Sequence, residues 1–326
     1  MNFLLHWIGR GIIAFVQRFP LAGVARFGRR VGRLGWRLDR RHREVALSNL
    51  TAVFGGEKSP EEIRDIAREN YLRLAENYFC LLKVGGMSDA EIAPHVEWRG
   101  VERLRRSDGR AGVLVTGHLG NFELLNRIPV NMPPGMPPQT FATTYRALRQ
   151  PALTALMQSL RQRERTLFFE RRTQADALKQ ALSDGRTWLA LLADQHAGDR
   201  GLWLPFLGRD CSCSASPAVL ALRARHPLIM AICYRTGPAR WCWEFGEWIS
   251  DTENGRRRSV ESITREINAH LEAAIRRDPA NWFWVHRRWK PPSAHQRSEG
   301  ARDVPPAPRD AVNSGGAPDE SHRLAS

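Results

Sequence analysis

The sequence contains no run of 18 or more apolar residues, and no small-residue cleavage site follows an apolar stretch near its start. These absences argue against a full transmembrane span and against a clear signal peptide. The first apolar stretch, from Phe3 to Val16, is interrupted by Arg10 and followed by Pro20, which ends it. We therefore expect this stretch to be a poor spanning helix.

Cysteine is also scarce. The five cysteines are odd in number and irregular in spacing, which argues against a disulfide framework and favours a reducing compartment. Cys211 and Cys213 are separated by one residue, whereas a zinc knuckle needs two or more between its ligands. We interpret the cysteines as small packing residues and predict no metal site.

Acidic residues are outnumbered, since 34 Asp and Glu stand against 49 Lys and Arg and leave a formal net charge of +15. This excess indicates an anionic partner: a phospholipid surface, a nucleic acid or an acidic carrier protein. With 326 residues, 42% apolar and 25% charged, the composition is that of a globular protein. The length allows one large domain or two small ones with a sizeable core.

The positive charge is densest at the start, where residues 1–50 hold ten arginines and two acids. Apolar residues recur there at spacings of three and four, which predicts an amphipathic helix surrounded by arginine. Its apolar stripe would consist of Leu21, Val24, Phe27, Val31, Leu34 and Leu38. Such a helix after an aromatic-bearing apolar segment is typical of an interfacial membrane element, so we predict a membrane-associating segment over 1–41. The alternative is a surface helix whose stripe packs on the core.

The remainder of the chain divides in two. From Pro291 to the end there are six prolines and no Phe, Trp or Tyr, so we predict a disordered tail over 291–326. Residues 42–290 begin with helical patterns, including a helix that starts at Ser59-Pro60, and then alternate between strands and helices. This alternation predicts an α/β fold with a central mostly parallel or mixed sheet flanked by helices. The predicted strands are 96–98, 111–116, 167–170, 188–193, 228–234 and 241–249, and the predicted helices are 147–162, 174–183, 217–225 and 260–277.

The hexapeptide His118-Leu-Gly-Asn-Phe-Glu123 directly follows one of the predicted buried strands. It would lie at the carboxyl end of that strand, where open α/β sheets place ligand sites, and Asn121 would open the next helix. A histidine there can take a proton from a hydroxyl group, and the carboxylate of Glu123 can fix the tautomer and stabilise the imidazolium. Residues five apart on an ideal helix point about 140° apart, so this dyad requires His118 to precede the helix. The alternative is that the pair has no catalytic role.

Two further segments carry polar groups beside apolar ones. Asp194-Gln195-His196 follows the predicted strand 188–193, at the same edge of the sheet as His118. The segment 281–289 holds three tryptophans and the pair Arg287-Arg288, which suits an interface that is apolar on one side and anionic on the other.

These blocks together resemble the late acyltransferases of lipid A biosynthesis, the lauroyl/myristoyl transferase family within the lysophospholipid acyltransferase superfamily. The hexapeptide matches the H-x4-(D/E) motif of that superfamily, and the resemblance covers roughly residues 5–290. One such motif is weak, but six blocks in the same order are specific. The other five are Arg43–Phe54, Thr144–Pro151, Asp194–Gly198, Pro205–Gly208 and Trp284–Trp289.

The resemblance implies a membrane-bound enzyme on the cytoplasmic face of the inner membrane. It implies transfer of a fatty acyl group from acyl carrier protein, or from a CoA thioester, to a hydroxyl group of a glycolipid or lysolipid. No metal or redox cofactor is implied. His118 matches the general base of the family and Glu123 its dyad partner.

The resemblance also suggests residues that bind substrate. Arg146 and Arg172 would bind phosphate or face the carrier, or else be exposed surface arginines, and Asp194 would position substrate or anchor its loop. N–H groups near Gly120 and Asn121 would stabilise the tetrahedral oxyanion. Phe122 and the segment Pro205-Phe206-Leu207 would line an apolar groove for the acyl chain. Arg287 and Arg288 would bind lipid phosphate or solvate a helix end.

Two other functions remain open. A glycerolipid or lysophospholipid acyltransferase of the same superfamily would keep the dyad and change the acceptor. A non-catalytic basic protein that binds membranes or nucleic acid would explain the charge but not the His118 and Asp194 segments. Nucleic acid is less favoured, because the aromatic side chains near the N-terminal arginines belong to the apolar stripe and are poorly available for stacking on bases.

Overall fold

The computed structural model describes residues 2–105, 110–132, 139–224 and 226–291. The predicted disordered tail, apart from Pro291, lies outside the described residues. Within them, no helix is both long enough and apolar enough to cross a bilayer.

Five helices form the first part of the chain: α1 (Asn2–Gln17), α2 (Leu21–Leu38), α3 (Arg40–Phe54), α4 (Pro60–Val84) and the short α5 (Asp89–Ile92). The predicted start of α4 is confirmed, because Ser59 accepts a hydrogen bond from the Glu62 N–H and the Glu62 carboxylate accepts one from the Ser59 N–H. This reciprocal capping box, with Pro60 in the first turn, satisfies N–H groups that would otherwise lack a partner.

The buried face of α2 differs from the predicted stripe. Leu21 and Val24 of the predicted stripe are buried, as in the alternative of packing on the core, whereas Phe27, Leu34 and Leu38 are exposed. Glycines take their place: a Cβ atom on Gly28 would lie 2.9 Å from the Cα of Glu76, and one on Gly32 would lie 2.7 Å from the Cα of Leu72. The backbone of α2 therefore packs directly on α4, a contact that hydrophobic periodicity does not reveal because glycine adds nothing to an apolar stripe.

Helix α1 packs against α4 and against a later helix, α6 (Pro151–Arg161). Its other face is apolar and exposed. Six of its large apolar side chains are more than half exposed, namely Phe3, Leu4, Trp7, Ile8, Ile12 and Phe15.

The rest of the chain builds the sheet and its covering helices. Its strands are β1 (Val96–Arg99), β2 (Val113–Thr116), β3 (Thr140–Tyr145), β4 (Thr166–Glu170), β5 (Thr187–Leu192), β6 (Leu202–Phe206), β7 (Arg209–Cys213), β8 (Leu228–Gly237), β9 (Arg240–Ile249), β10 (Thr252–Glu253) and β11 (Arg256–Arg257). The other helices are α7 (Ala175–Leu182), α8 (Ser216–Ala224) and α9 (Val260–Arg277). All six predicted strands and the four later predicted helices are present, the first of these helices beginning only at Pro151. Strand β3 and the β6–β7 hairpin were not predicted.

Seven strands form the central sheet, in the order β1-β9-β8-β2-β5-β3-β4. Every neighbouring pair is parallel except β8 and β9. The predicted class, an α/β fold with a mostly parallel mixed sheet flanked by helices, is confirmed.

Both faces of the central strands are covered. Val113 and Val115 of β2 belong to an apolar cluster that includes residues of α3, α8 and α9, whereas Leu114 belongs to a second cluster that includes residues of α4. Burial on both faces explains why these strands are continuous apolar runs, and it leaves the ends of the strands as the place for polar groups.

Candidate active site

The site forms where two adjacent parallel strands end. Strands β2 and β5 are paired in register up to Thr116 and Leu192, and His118 and Asp194 each follow two residues later. The prediction that these two residues lie at the same edge of the sheet is therefore confirmed.

Asp194 holds His118 through two hydrogen bonds. The Nδ1 atom of His118 lies 2.8 Å from Oδ1 of Asp194, and the His118 backbone N–H donates to Oδ2 at 2.7 Å. Because a carboxylate only accepts, Nδ1 carries the hydrogen and Nε2 is left as an acceptor. The Nε2 atom lies 3.3 Å from the side-chain nitrogen of Gln195, which donates to it.

The environment of Asp194 keeps it ionised. Its side chain is 1% exposed, and burial alone would raise its pKa. The positive charge that His118 carries when it is protonated, the hydrogen bonds from His118 and the N–H of Trp282, which donates to Oδ2 at 2.7 Å, instead lower the pKa to about 2. A carboxylate held in this way fixes the ring and stabilises an imidazolium at that position.

The turn after His118 is fixed by its backbone. Gly120 has a φ of +54°, and a Cβ atom there would lie 2.5 Å from the carbonyl oxygen of Cys233. The Gly120 N–H donates to the Asn281 carbonyl at 3.0 Å, and Asn77 of α4 donates to the Gly120 carbonyl at 2.7 Å. The Gly120 N–H is therefore already used, which contradicts its expected part in binding an oxyanion.

Glu123 does not contact His118 as the dyad hypothesis requires. Its carboxylate accepts hydrogen bonds from Nε and Nη2 of Arg161 in α6, at 2.7 and 2.5 Å, and among the described residues no hydrogen bond or ion pair joins it to His118. The segment Phe122–Asn131 is a 3-10 helix rather than an α-helix, and Asn121 is buried without capping it. This helix turns Glu123 towards α6, while Asp194 holds the imidazole at the end of the sheet.

A cavity of about 380 Å³ brings these groups together. His118, Glu123 and Arg161 all line it, and Phe122 lies against the His118 ring with 4.7 Å between the ring centroids. The cavity follows one face of β3, β4 and β5, where Thr143 is paired with both Phe168 and Ala190. Phe141 lies one rung lower, also lines the cavity and stacks on Trp188 at 5.6 Å; we refer to this aromatic side chain as the floor of the cavity.

Polar and basic side chains surround the other end of the cavity. Tyr145 and Glu170 are the last paired residues of β3 and β4, so Arg146 and Arg171 follow them side by side and both line the cavity. Arg172, the predicted residue, is not among the lining residues and lies exposed in a turn whose N–H groups donate to the Glu170 carboxylate. The sequence prediction therefore missed Arg171 by one position.

The predicted acyl wall at Pro205 and Phe206 lies elsewhere. Pro205 is exposed, whereas Phe206 is fully buried and packs on Trp282 with 5.8 Å between ring centroids. Neither residue lines the cavity. Their place in the antiparallel β6–β7 hairpin explains this, because that hairpin covers the core beside α9.

The two late arginines differ from each other. Arg287 is exposed, but Arg288 is fully buried and donates to the Ser212 carbonyl at 2.6 Å and to Sγ of Cys213 at 3.1 Å. Arg288 is thus an internal residue and does not reach a lipid surface.

Several site residues had no signal of their own in the sequence. Arg161 and Asn77 come from helices where nothing distinguishes them from their neighbours, and Trp282 stands out in the sequence only as part of an aromatic segment. Gln195 and His196 belong to the segment Asp194–Gly198, whose sequence predicts no role for either residue. His196 also lines the cavity, and its N–H donates to Nε2 of His286, whose pKa burial lowers to about 4.

A family model described as bacterial lipid A biosynthesis acyltransferase matches residues 1–291 of the chain. The lipid A biosynthesis lauroyltransferase of Escherichia coli (strain K12) is 24% identical over 297 residues, which cover 89% of this chain and 92% of that protein. The lipid A biosynthesis palmitoleoyltransferase of the same strain and a lipid A biosynthesis acyltransferase of Shigella flexneri are each 22% identical with the same coverage. The chain is an acyltransferase, and it belongs to the bacterial lipid A biosynthesis acyltransferase family.

Proposed function

We propose that the protein transfers a fatty acyl group from a carrier thioester to a hydroxyl group of a lipid A precursor, with His118 as general base. The observation that supports this most is the hydrogen bond of His118 Nδ1 to Asp194, which leaves the lone pair of Nε2 as a proton acceptor beside the cavity. The names of the relatives support a lipid A acceptor.

The reaction needs one base and no protein nucleophile. The acceptor hydroxyl takes the place of the Gln195 amide at Nε2, and His118 removes its proton as the oxygen attacks the thioester carbonyl. Asp194 stabilises the imidazolium that forms. The tetrahedral intermediate then collapses, the carbon–sulfur bond breaks, and the leaving thiolate receives the proton from His118.

The cavity provides a place for the acyl chain. One wall of the cavity is mostly apolar and consists of the paired residues Phe168, Thr143 and Ala190. This wall ends at the aromatic side chain of Phe141. We infer that the carbonyl end of the chain lies near His118 and that the methyl end points towards Phe141.

Charged residues at the cavity suit the phosphate groups of the acceptor. Arg146 and Arg171 directly follow adjacent strands and line the cavity, and among the described residues neither side chain forms an ion pair with a carboxylate. Guanidinium groups bind phosphate through paired hydrogen bonds. Glu123 keeps the guanidinium of Arg161 fixed in the wall, where its positive charge can stabilise the developing oxyanion.

The N-terminal helices suit an acceptor that is a membrane lipid. The exposed face of α1 carries aromatic and aliphatic side chains, and α1 packs on α6, which itself contributes Met157 and Arg161 to the cavity. A helix with such a face lies in the plane of a membrane surface. We propose that α1 rests on the cytoplasmic face of the inner membrane, so that the lipid enters without leaving the bilayer.

The test is acyl transfer from a radiolabelled acyl carrier protein thioester to a lipid A precursor, with a lysophospholipid assayed in parallel. We expect label on the lipid A precursor, and we expect His118→Ala to abolish it while binding to vesicles is retained. His270→Ala, which changes an exposed histidine of α9, is the matched control.

Other outcomes would change the proposal. Label on the lysophospholipid alone would keep the base and move the acceptor class. Turnover that survives in His118→Ala would contradict the mechanism. Vesicle binding without transfer to either acceptor, in conditions where a known enzyme is active, would favour the non-catalytic alternative.

A further inference from the structure

A second concave surface lies between α2 and the first half of α4, away from the cavity that holds His118. Arg33 and Arg37 of α2 and Arg64 and Arg68 of α4 line it, around a volume of about 310 Å³. We refer to these four residues as the arginine groove. Trp36 also lines it, and Asp65 is the single acidic residue in its lining.

The arginines of this groove are not neutralised by the protein. Across the residues that the structure describes, none of the four forms an ion pair, and Arg64 has only the ring of Trp36 at 6.0 Å. Neighbours on the same two helices differ: Arg29 pairs with Glu69 at 2.9 Å, and Arg73 pairs with Asp278 at 2.7 Å. Like charges that surround one concave surface repel one another, so this arrangement does not stabilise the fold. It is instead suited to binding an anionic partner.

The shape and composition of the groove favour a protein over a lipid surface. The most exposed apolar face of the described chain lies on α1, whereas the groove is lined by charged residues and by Trp36, which is buried. A recess between two helices receives a protruding acidic element more readily than a flat bilayer. Leu34 and Leu38 of α2 each follow an arginine of the groove in sequence and are exposed, and apolar side chains combined with arginine are characteristic of protein interfaces.

The position of the groove connects it to the candidate active site. Helix α4 continues from Arg68 to Asn77, which donates to the Gly120 carbonyl next to His118. Nine residues of helix span about 14 Å. On the neighbouring helix α3, Asn49 donates to the carbonyls of Trp284 and His286, and His286 accepts from the His196 N–H at the cavity wall. The groove is therefore connected through α4 to the turn after His118, and through the neighbouring helix α3 to the wall of the cavity.

We propose that the arginine groove is the docking surface for the acidic carrier protein that delivers the acyl thioester. This inference rests on the proposed function, since it assumes a carrier-bound donor. Complementary charges would speed the encounter and hold the carrier in register while its prosthetic arm reaches His118.

The test compares two donors and two pairs of variants. Arg37→Glu with Arg64→Glu reverses the groove, and Arg223→Glu with Arg256→Glu changes two exposed arginines on other elements as the matched control. Each protein is assayed with the acyl carrier thioester and with acyl-pantetheine, which lacks the carrier protein. We expect the groove variant to raise KM for the carrier donor about tenfold with kcat unchanged, and to leave acyl-pantetheine turnover within about twofold.

Direct binding separates failure of the groove from failure of the proposed reaction. Fluorescence anisotropy of labelled carrier should show binding that weakens with salt and is lost in the groove variant, whether or not transfer occurs. Vesicles containing phosphatidylglycerol should bind both variants as they bind the unchanged protein. Equal effects on both donors, unchanged carrier binding, or loss of vesicle binding with carrier binding retained would each overturn the proposal, and the last would favour a lipid surface.

Discussion

Asp194 and Glu123 are the two carboxylates of the candidate active site, and they differ in position, burial and partner: Glu123 lines the cavity, whereas Asp194 is buried behind His118. Asp194 follows a central strand, is 1% exposed and accepts hydrogen bonds from His118 and Trp282. Glu123 lies on a 3-10 helix, five residues from His118 in sequence, and pairs with Arg161 of α6. The carboxylate that holds the histidine is thus 76 residues away along the chain, and the nearer one holds a different cation.

The difference shows how the fold assigns roles at this site. Parallel strands in register carry the residues that follow them to one edge of the sheet, however far apart they are in sequence. A short helical segment instead rotates successive side chains away from each other. We infer that Asp194 acts through the base and that Glu123 acts through Arg161.

Among the substitutions that test this difference, Asp194→Asn should lower activity the most. An amide can donate to Nδ1 and so favour the tautomer with hydrogen on Nε2, which cannot accept the proton of the acceptor hydroxyl. We expect kcat to fall by about 10³ to 10⁴ with little change in KM, by analogy with the same change in hydrolase triads. Nitrogen NMR of the His118 ring should show the tautomer change, and a ring that keeps its tautomer would contradict this role.

Glu123→Gln should lower activity less and by another route. We expect kcat to fall by about 10- to 100-fold, because Arg161 loses the carboxylate that orients it. Arg161→Gln should have a similar effect, and the double variant should be little worse than either single one, since neighbours that act as a pair are not additive. The His118 tautomer should be unchanged; additive losses would mean that the two residues act separately.

The floor of the cavity should affect chain length more than rate. Ala190→Leu fills the rung next to Thr143, so we expect a preference for shorter acyl chains, with rates for the best chain within a few-fold of the unchanged protein. Phe141→Leu should open the floor and shift the preference the other way. Competition among donors of different chain length measures both shifts, and unchanged preferences in both variants would exclude this wall as the acyl site.

The smallest expected effect is on the way in which the stability of the protein depends on pH. Burial lowers the pKa of His286 to about 4, so between pH 6.5 and 4 the unfolded chain takes up a proton that the folded chain does not. The contribution of His286 to the free energy of unfolding is fully present above pH 6.5 and is lost as the pH falls towards 4. The loss is at most about 3 kcal/mol, and partial exposure of the ring makes it smaller.

Asp194 does not contribute to this change. Its pKa is about 2 in the folded protein and about 3.9 in the unfolded chain, so the stability that it provides is lost only as the pH falls below about 3.9. His286→Gln should therefore make unfolding by urea less dependent on pH between 7 and 4.5. If the free energy of unfolding changes between pH 7 and 4.5 by the same amount in the variant as in the unchanged protein, His286 is excluded as the source of that change.

The sequence predicted the scaffold better than the site. Apolar and alternating patterns located six strands of the central sheet, and Ser59 as an N-cap followed by Pro60 located the start of α4. Strand β3 was missed because Thr140, Thr143 and Thr144 make it look polar, although hydroxyl groups can be buried when they have a partner, as Thr143 does in the Ala190 carbonyl.

At the site, the sequence could bring His118 and Asp194 to one edge of the sheet but could not choose the partner of the histidine. That choice depends on which strands are neighbours and on the course of the segment after His118, and both are set by tertiary packing. Phe206 was misassigned for a related reason, since an apolar residue in a turn-forming segment looks the same in sequence whether it faces a ligand or the core.

The glycines at 28 and 32 also determine the dimensions of the arginine groove. Because these two positions carry no side chain, α2 and α4 lie close enough there for guanidinium groups from both helices to surround the same space. A larger residue at Gly32 would separate the helices and widen the spacing of the four charges, even though no arginine had changed. The selectivity of this surface for one pattern of negative charge is therefore encoded partly in residues that carry no charge and that no partner would touch.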